Sequence, residues 1–247
     1  MAELAITFPV SALTYSVIGG ILPALFWLWF WVQEDKLHPE PLRHLLLVFL
    51  GGMVLVPLMY PLQKLAIDYM GLTASTLFVW ASLEELAKYL IVALLVLYTV
   101  DYDEPIDAIV YMITAALGFA ALENTLFMLA PFLDGDLFKG LITGNMRFMG
   151  ASMLHVVSSG IVGYTIAREF YSSKIWKMLW RVLGLSLAIG LHTLFNLFII
   201  GDANGGKTFL AFSVIWMMAI VVLLLFEKIK KSQAKTKNYA PIKKIVL

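Results

Sequence analysis

The chain contains no cysteine, which excludes disulfide bonds, thiol catalysis, iron–sulfur clusters and cysteine-ligated zinc sites. Charge is also scarce, because only 14% of the 247 residues are Asp, Glu, Lys or Arg, against about 25% in soluble domains. The formal net charge is only +1, whereas a nucleic-acid-binding protein needs a strong basic excess. We therefore expect neither a soluble enzyme nor a nucleic-acid partner.

The chain is rich in apolar residues, which make up 61% of it and give a mean hydropathy of +0.85. Since roughly 20 apolar residues cross the hydrocarbon core of a bilayer, seven or eight crossings would use the whole chain. The first basic residue is Lys36, so the first apolar run lacks the charged region of a signal peptide and is expected to be retained. The composition predicts an all-α, polytopic transmembrane helix bundle in the cell membrane.

Charged and turn-forming residues divide the chain into seven apolar spans, and an eighth helix could be hidden in the long first or third span. The spans are 8–32, 42–62, 73–100, 105–130, 146–167, 175–200 and 208–227. Composition changes after the last span, which predicts an integral membrane domain over 1–227 and a basic cytoplasmic tail over 228–247. The tail has seven lysines, and each can gain about 1 kcal/mol beside anionic lipids. We therefore expect the bilayer, with anionic lipids at the tail, to be a partner.

The distribution of basic residues predicts the orientation of the chain. With seven spans, 13 of the 17 Lys and Arg residues other than Lys88, all near or beyond the ends of the spans, fall on the side of the C-terminus. Lysine and arginine are enriched in cytoplasmic loops. We therefore expect the C-terminus in the cytoplasm and the N-terminus outside.

Polar and ionisable residues inside the spans are the main anomaly of the sequence. A charged group at the centre of a membrane helix costs about 2.5–3.5 kcal/mol on insertion scales, and such groups commonly mark functional sites. The alternative is buried pairs that hold helices together, with Glu84 and Lys88 at i,i+4 as the obvious pair. The residues are Glu84, Glu85, Lys88, Glu123, His155, His192 and Asn196.

The depth of these groups favours a functional site. In the predicted orientation, the ionisable groups of four consecutive spans lie about 7–12 residues below the outer ends, within one layer on the order of 10–18 Å deep. His155 and His192 also lie on stripes of small residues four apart, such as Gly163 and Gly184, which mark faces where membrane helices approach closely. We expect the layer to form one cluster that faces inward.

The residue types indicate hydrolysis. Adjacent carboxylates such as Glu84 and Glu85 repel each other in a low-dielectric site, so one can act as a general base or acid near neutral pH. Histidine and glutamate are also zinc ligands, and a three-ligand site activates a bound water. Zinc is therefore a possible cofactor. Neither the H-E-x-x-H motif of zinc proteases nor the G-x-S-x-G motif of serine hydrolases occurs, so a metal site would be assembled between helices.

The polar groups form an ordered set of short patterns on successive spans. These are Glu84-Glu85 followed by Lys88, Phe119-x-x-x-Glu123-Asn124, Arg147 eight residues before His155, and His192-x-x-x-Asn196, after a loop His38-Pro39-Glu40-Pro41. The set, over about residues 27–200, resembles the PrsW family of membrane-embedded proteases. These are distant relatives of the type II CAAX prenyl endopeptidases, which typically have a histidine in place of Glu123 and an arginine in place of Lys88.

The resemblance implies hydrolysis of a peptide bond within or beside the membrane, with Glu84 and Glu85 as the paired catalytic glutamates. It assigns Lys88, Glu123, His155, His192 and Asn196 to the remaining polar positions. Zinc, if present, is expected on Glu123, His155 and His192. Family members are implicated in the first, extracytoplasmic cut of membrane-anchored anti-sigma factors, so the expected substrate is a membrane-anchored protein.

Three alternatives remain at this point. A CAAX-type prenyl endopeptidase would face the cytoplasm. A proton- or ion-coupled transporter would also line its helices with Glu, His and Lys at one depth. The same scaffold could also serve as an inactive binding or assembly subunit.

Overall fold

The fold is an all-α bundle, seen in a computed structural model that describes residues 10–34, 39–100, 102–200, 202 and 205–239. No strand occurs among these residues. The helices are α1 (Val10–Gln33), α2 (Leu42–Met70), α3 (Ala74–Val92), α4 (Asp107–Leu133), α5 (Leu137–Met146), α6 (Ser152–Glu169), α7 (Lys174–Ile200) and α8 (Gly206–Tyr239).

Two short π-helical turns extend this pattern. The first, Ala93–Leu97, continues α3, and the second, Arg147–Ala151, joins α5 to α6. Because α5, the second π-turn and α6 run on without a break, Leu137–Glu169 is one helix of 33 residues. The described part of the chain therefore contains seven continuous helical segments, as predicted, and no additional helix in its portion of the long first or third span.

Six of these segments are long and apolar enough to cross a membrane. The remaining segment is α3, whose 19 residues include Glu84, Glu85 and Lys88. Charge therefore distinguishes α3 from the other segments, and its charged side chains are turned inward, where they are buried. Helix α3 thus carries three charged groups into the interior of the bundle.

Helices α4 and α6 form the centre of the bundle and are buried over most of their length. Glycines allow the neighbouring backbones to approach them closely. A Cβ on Gly118 of α4 would lie 1.9 Å from the carbonyl oxygen of Phe49 in α2, and one on Gly163 of α6 would lie 2.6 Å from the Cα of Ile109 in α4. Such backbone contact is typical of membrane helices packed through small residues. It fixes the positions of the polar side chains on α4 and α6.

Several helix ends differ from the predicted spans. Helix α2 continues to Met70, eight residues beyond the predicted end, and Lys64 pairs with Asp68 at 2.9 Å on its exposed surface. The helix that contains His155 begins at Leu137 rather than 146, where Asp136 caps it by accepting a hydrogen bond from the backbone of Lys139. Helix α8 runs past residue 227 to Tyr239. In each case a short polar stretch that the sequence predicts to be a loop is helical, and its polar side chains lie on the helix surface.

Candidate active site

Four helices bring the ionisable groups of the predicted layer together. Helix α3 supplies Glu84, Glu85 and Lys88, and α4, α6 and α7 supply Glu123, His155 and His192, respectively. All are buried except Glu123, whose side chain is 20% exposed. The rings of His155 and His192 lie with their centroids 5.3 Å apart. The prediction that these groups form one inward-facing cluster is confirmed.

Glu85 is the centre of the cluster. One of its oxygens, Oε1, accepts hydrogen bonds from the ammonium of Lys88 at 2.6 Å and the hydroxyl of Ser158 at 3.0 Å, and lies 2.8 Å from Nδ1 of His192. A carboxylate can only accept, so this geometry puts the proton of a neutral His192 on Nδ1 and leaves a lone pair on Nε2. Lys88 therefore pairs with Glu85 at i,i+3, and the expected pair with Glu84 is not formed.

Glu84 presents one free oxygen to this imidazole. Its Oε1 accepts a hydrogen bond of 2.8 Å from the side-chain amide of Gln63 on α2, and the backbone carbonyl of Gln63 accepts one of 2.9 Å from the indole of Trp80. Its other oxygen, Oε2, is buried without a hydrogen-bond partner and lies 3.7 Å from Nε2 of His192. This oxygen and the imidazole lone pair are both acceptors, so neither satisfies the other. Oε2 of Glu85 is also buried without a hydrogen-bond partner.

Glu123 and Arg147 hold the second histidine. Glu123 Oε2 lies 3.1 Å from Nε2 of His155 and forms an ion pair with the guanidinium of Arg147. The Nε of Arg147 donates to the side chain of Asn124 at 2.5 Å, and Asn124 donates to Ser152 at 2.8 Å. This network joins both ends of the second π-turn to two adjacent residues of α4.

The π-turn explains why Arg147 and His155 share a face. In a regular α-helix, residues eight apart are rotated by about 80° from each other. A π-turn contains one extra residue, so these eight positions produce the same rotation as about seven positions of a regular α-helix. The two side chains are then rotated by only about 20° from each other around the helix axis. Both therefore reach Glu123 on α4.

His155 is hydrogen-bonded through both ring nitrogens. Its Nδ1 lies 3.0 Å from the ammonium of Lys88, which can only donate, and its Nε2 faces the carboxylate of Glu123. These partners fix the tautomer of a neutral imidazole, with the proton on Nε2. Lys88, which is 0% exposed, thus bridges Glu85 and His155 and compensates part of the buried negative charge.

The cluster contains the types of side chain that bind a metal ion. One ligand atom each from Glu84, His155 and His192 lie within 4.8 Å of one another, and two histidines with a glutamate form the ligand set of several zinc peptidases. Glu84 has an orphaned oxygen, and His192 has a carboxylate on its other nitrogen, the usual support of a metal-ligating histidine. Glu123, the carboxylate named as a ligand from the sequence, instead lies against His155 and Arg147.

The remaining predicted residue, Asn196, lies one turn beyond His192 on α7, is partly buried and makes no hydrogen bond to the described residues of the cluster. Sequence reasoning did not assign roles to Gln63, Arg147, Asn124 and Ser158. Two of these could have been found from the sequence, because Arg147 and Asn124 belong to the short polar patterns on successive spans. No sequence feature pointed to Gln63, since it falls just outside the predicted span 42–62.

Comparison with known proteins identifies the family. The model of the PrsW family of intramembrane metalloproteases matches residues 40–225. The chain is 29% identical to Protease PrsW of Geobacillus kaustophilus over 91% of this chain and 93% of that protein. It is 26% identical to Protease PrsW of Bacillus subtilis over 83% and 92%, and 26% identical to that of Clostridioides difficile over 72% and 76%. No solved structure gives a significant match. The match covers all four helices that carry the cluster, and the chain belongs to the PrsW family of intramembrane proteases.

Proposed function

We propose that this membrane protease hydrolyses a peptide bond of a membrane-anchored protein near the extracytoplasmic face, with water activated by the Glu/His cluster. The observation that supports this most directly is the free Oε2 of Glu84, 3.7 Å from Nε2 of His192. Two acceptors held apart in a buried site can both receive hydrogen bonds from one water molecule. A water so held is positioned to lose a proton as it attacks a carbonyl carbon.

Each residue then has a defined role. Glu84, fixed by Gln63, accepts the proton of the water. Glu85, fixed by Lys88 and Ser158, holds the imidazole of His192 in the tautomer that leaves Nε2 free. The Glu123–Arg147 pair positions His155. Asn196, one turn nearer the predicted outer surface, is the group we assign to hydrogen-bond the substrate carbonyl.

Zinc would be held by Glu84, His155 and His192, and when bound it would lower the pKa of a coordinated water to about 7. His155 would have to release one of its present hydrogen bonds to serve as a ligand. The set predicted from the sequence has Glu123 in place of Glu84, and we keep both as testable assignments.

The test is a cleavage assay in reconstituted vesicles with single-pass membrane proteins as substrates, anti-sigma factors among them. Glu84→Gln keeps the acceptor for Gln63 but removes the base, so turnover should fall at least about 100-fold, at the low end of what a general base contributes. Glu227→Gln, at the far end of α8 and 44% exposed, is the matched control and should cleave normally. Equal cleavage by the wild type and both variants would rule out Glu84 as the base.

The predicted orientation separates this function from a cytoplasm-facing prenyl endopeptidase. Because the chain has no cysteine, single cysteines can be introduced at exposed positions. An impermeant thiol reagent added outside should label Leu137→Cys and spare Ser173→Cys. The reverse pattern would favour the prenyl endopeptidase. Proton uptake by vesicles without peptide cleavage would favour the transporter.

A further inference from the structure

The first three turns of α7 line a groove that the hydrolytic cluster does not use. It has a volume of about 300 Å³, and its residues recur at helical spacing, so they form one stripe along the helix. From the helix end inward, the lining residues are Lys174, Lys177, Met178, Arg181, Val182 and Leu185.

The outer part of this groove has an excess of positive charge. Lys174 and Lys177 form no ion pair with any residue that the structure describes, whereas Arg181 pairs with the buried Glu169 at 2.5 Å. Arg181 also donates to the hydroxyls of Tyr89 and Tyr98, both at 3.3 Å. Three cations thus face one carboxylate. The groove is electrostatically complementary to an anion that carries at least one negative charge.

The inner part of the groove is apolar. Met178 lies between Lys177 and Arg181 on the stripe, whereas Val182 and Leu185 lie level with Arg181 and beyond it. Lys174 to Leu185 spans about 16 Å along the helix axis. Trp176 and Trp180 lie at the level of the cations, as aromatic residues do at membrane interfaces. The groove therefore descends from the headgroup level to the level of the acyl chains.

We propose that this groove binds one acidic phospholipid, with its phosphate between Lys174, Lys177 and Arg181 and an acyl chain along Met178, Val182 and Leu185. A free phosphate would satisfy the cations but leave the apolar stripe to the bulk lipid, so the lipid is the better match. This site is distinct from the C-terminal tail, where the sequence predicts diffuse attraction of anionic lipid.

Native mass spectrometry of the full chain in detergent, with phosphatidylglycerol and phosphatidylcholine at equal concentrations, tests the proposal. The wild type should retain one phosphatidylglycerol in preference to phosphatidylcholine, and inorganic phosphate should not displace it. In Lys174→Gln/Lys177→Gln the affinity for phosphatidylglycerol should fall about 10- to 30-fold, at about 1 kcal/mol per lysine. If that variant unfolds, Lys174→Gln alone should lower the affinity about fivefold.

The matched control is Lys139→Gln/Lys207→Gln, which removes the same charge from exposed positions on α5 and α8, outside both the groove and the basic tail, and should bind normally. Undiminished binding by the groove variant would overturn the proposal. So would an equal loss in the control, equal retention of phosphatidylcholine, or displacement by inorganic phosphate.

Discussion

The amide of Gln63 donates a hydrogen bond of 2.8 Å to Oε1 of Glu84, so that helix α2 determines which oxygen of the carboxylate stays free. Gln63→Leu removes this donor and allows the carboxylate to rotate. We expect a 10- to 100-fold loss of kcat, the usual effect of removing a group that orients a site residue, with KM little changed. Steady-state cleavage measures it. Gln33→Leu, at the exposed end of α1, is the control, and an unchanged kcat in Gln63→Leu would contradict the role.

The stability of the fold should depend on keeping the charges of the buried Lys88–Glu85 pair balanced. Lys88→Met leaves Glu85 without its cation, and breaking a buried pair in this way costs about 3–5 kcal/mol. Adding Glu85→Gln removes the orphaned charge and should restore much of the lost stability, while cleavage stays absent. Thermal unfolding of both variants in detergent measures this. If the double variant is less stable than Lys88→Met, the pair does not compensate charge as described.

Arg147 should act through Glu123 rather than on the substrate. Arg147→Gln and Glu123→Gln are each expected to lower kcat about 10- to 100-fold, because both release His155. Their effects should not multiply in the double variant, since residues of one network are not additive. Arg168→Gln, remote from the cluster and lying over Trp180, should be normal. A multiplicative loss would place Arg147 in direct contact with the substrate.

Metal analysis separates the two candidate ligand sets. Purified protein should contain about one zinc per chain, and a chelator should inhibit it reversibly. If Glu84 is the ligand, Glu84→Gln should lose the zinc and Glu123→Gln should retain most of it. The opposite pattern would favour the set predicted from the sequence. Full activity after complete metal removal would leave the glutamates as the direct activators of water.

Acidity should affect stability through the short linker between α1 and α2. Burial raises the pKa of Glu40, which hydrogen-bonds Asp107 and accepts from Tyr111, with Asp103 and Glu104 nearby. A carboxyl group whose pKa is raised on folding stabilises the fold when protonated, and this stability is lost as the pH rises through the folded pKa. Glu40→Gln, which mimics the protonated form, should therefore raise the melting temperature at pH 8 but not at pH 4, by about 2–4 °C per kcal/mol. Equal shifts at both pH values would contradict this.

Much of the fold was predictable because lipid contact demands continuous apolar helices. The ends of the helices were harder to predict. The surface pair Lys64–Asp68 lets α2 continue to Met70, and the cap at Asp136 starts α5 nine residues before the predicted span. Polar side chains on helix surfaces near the interface read as loops, although they can extend into the headgroups.

Depth along each helix also predicted which groups meet, since the rise per residue is fixed. The pairing itself was not predictable, because it depends on how each helix is rotated. Glu84 and Lys88 are four apart, yet Lys88 turns to Glu85 on meeting His155 from α6. The π-turn changes the rotation of α6 relative to α5, and only the spacing of Arg147 and His155 hints at it.

Helices α1 and α8 meet at one end of the bundle. Lys230 of α8 donates to the backbone carbonyl and to the carboxylate of Glu34, just after α1, each at 3.1 Å. Beside this contact, the ring centroids of Trp31 and Phe226 lie 6.1 Å apart. During synthesis this contact cannot form until α8 has left the ribosome. Helices α3, α4, α6 and α7 are complete by then, so the charged cluster can assemble in a bundle that is still open to lipid on one side. Packing of α8 against α6 and α7 therefore follows the insertion of the four helices that carry the cluster.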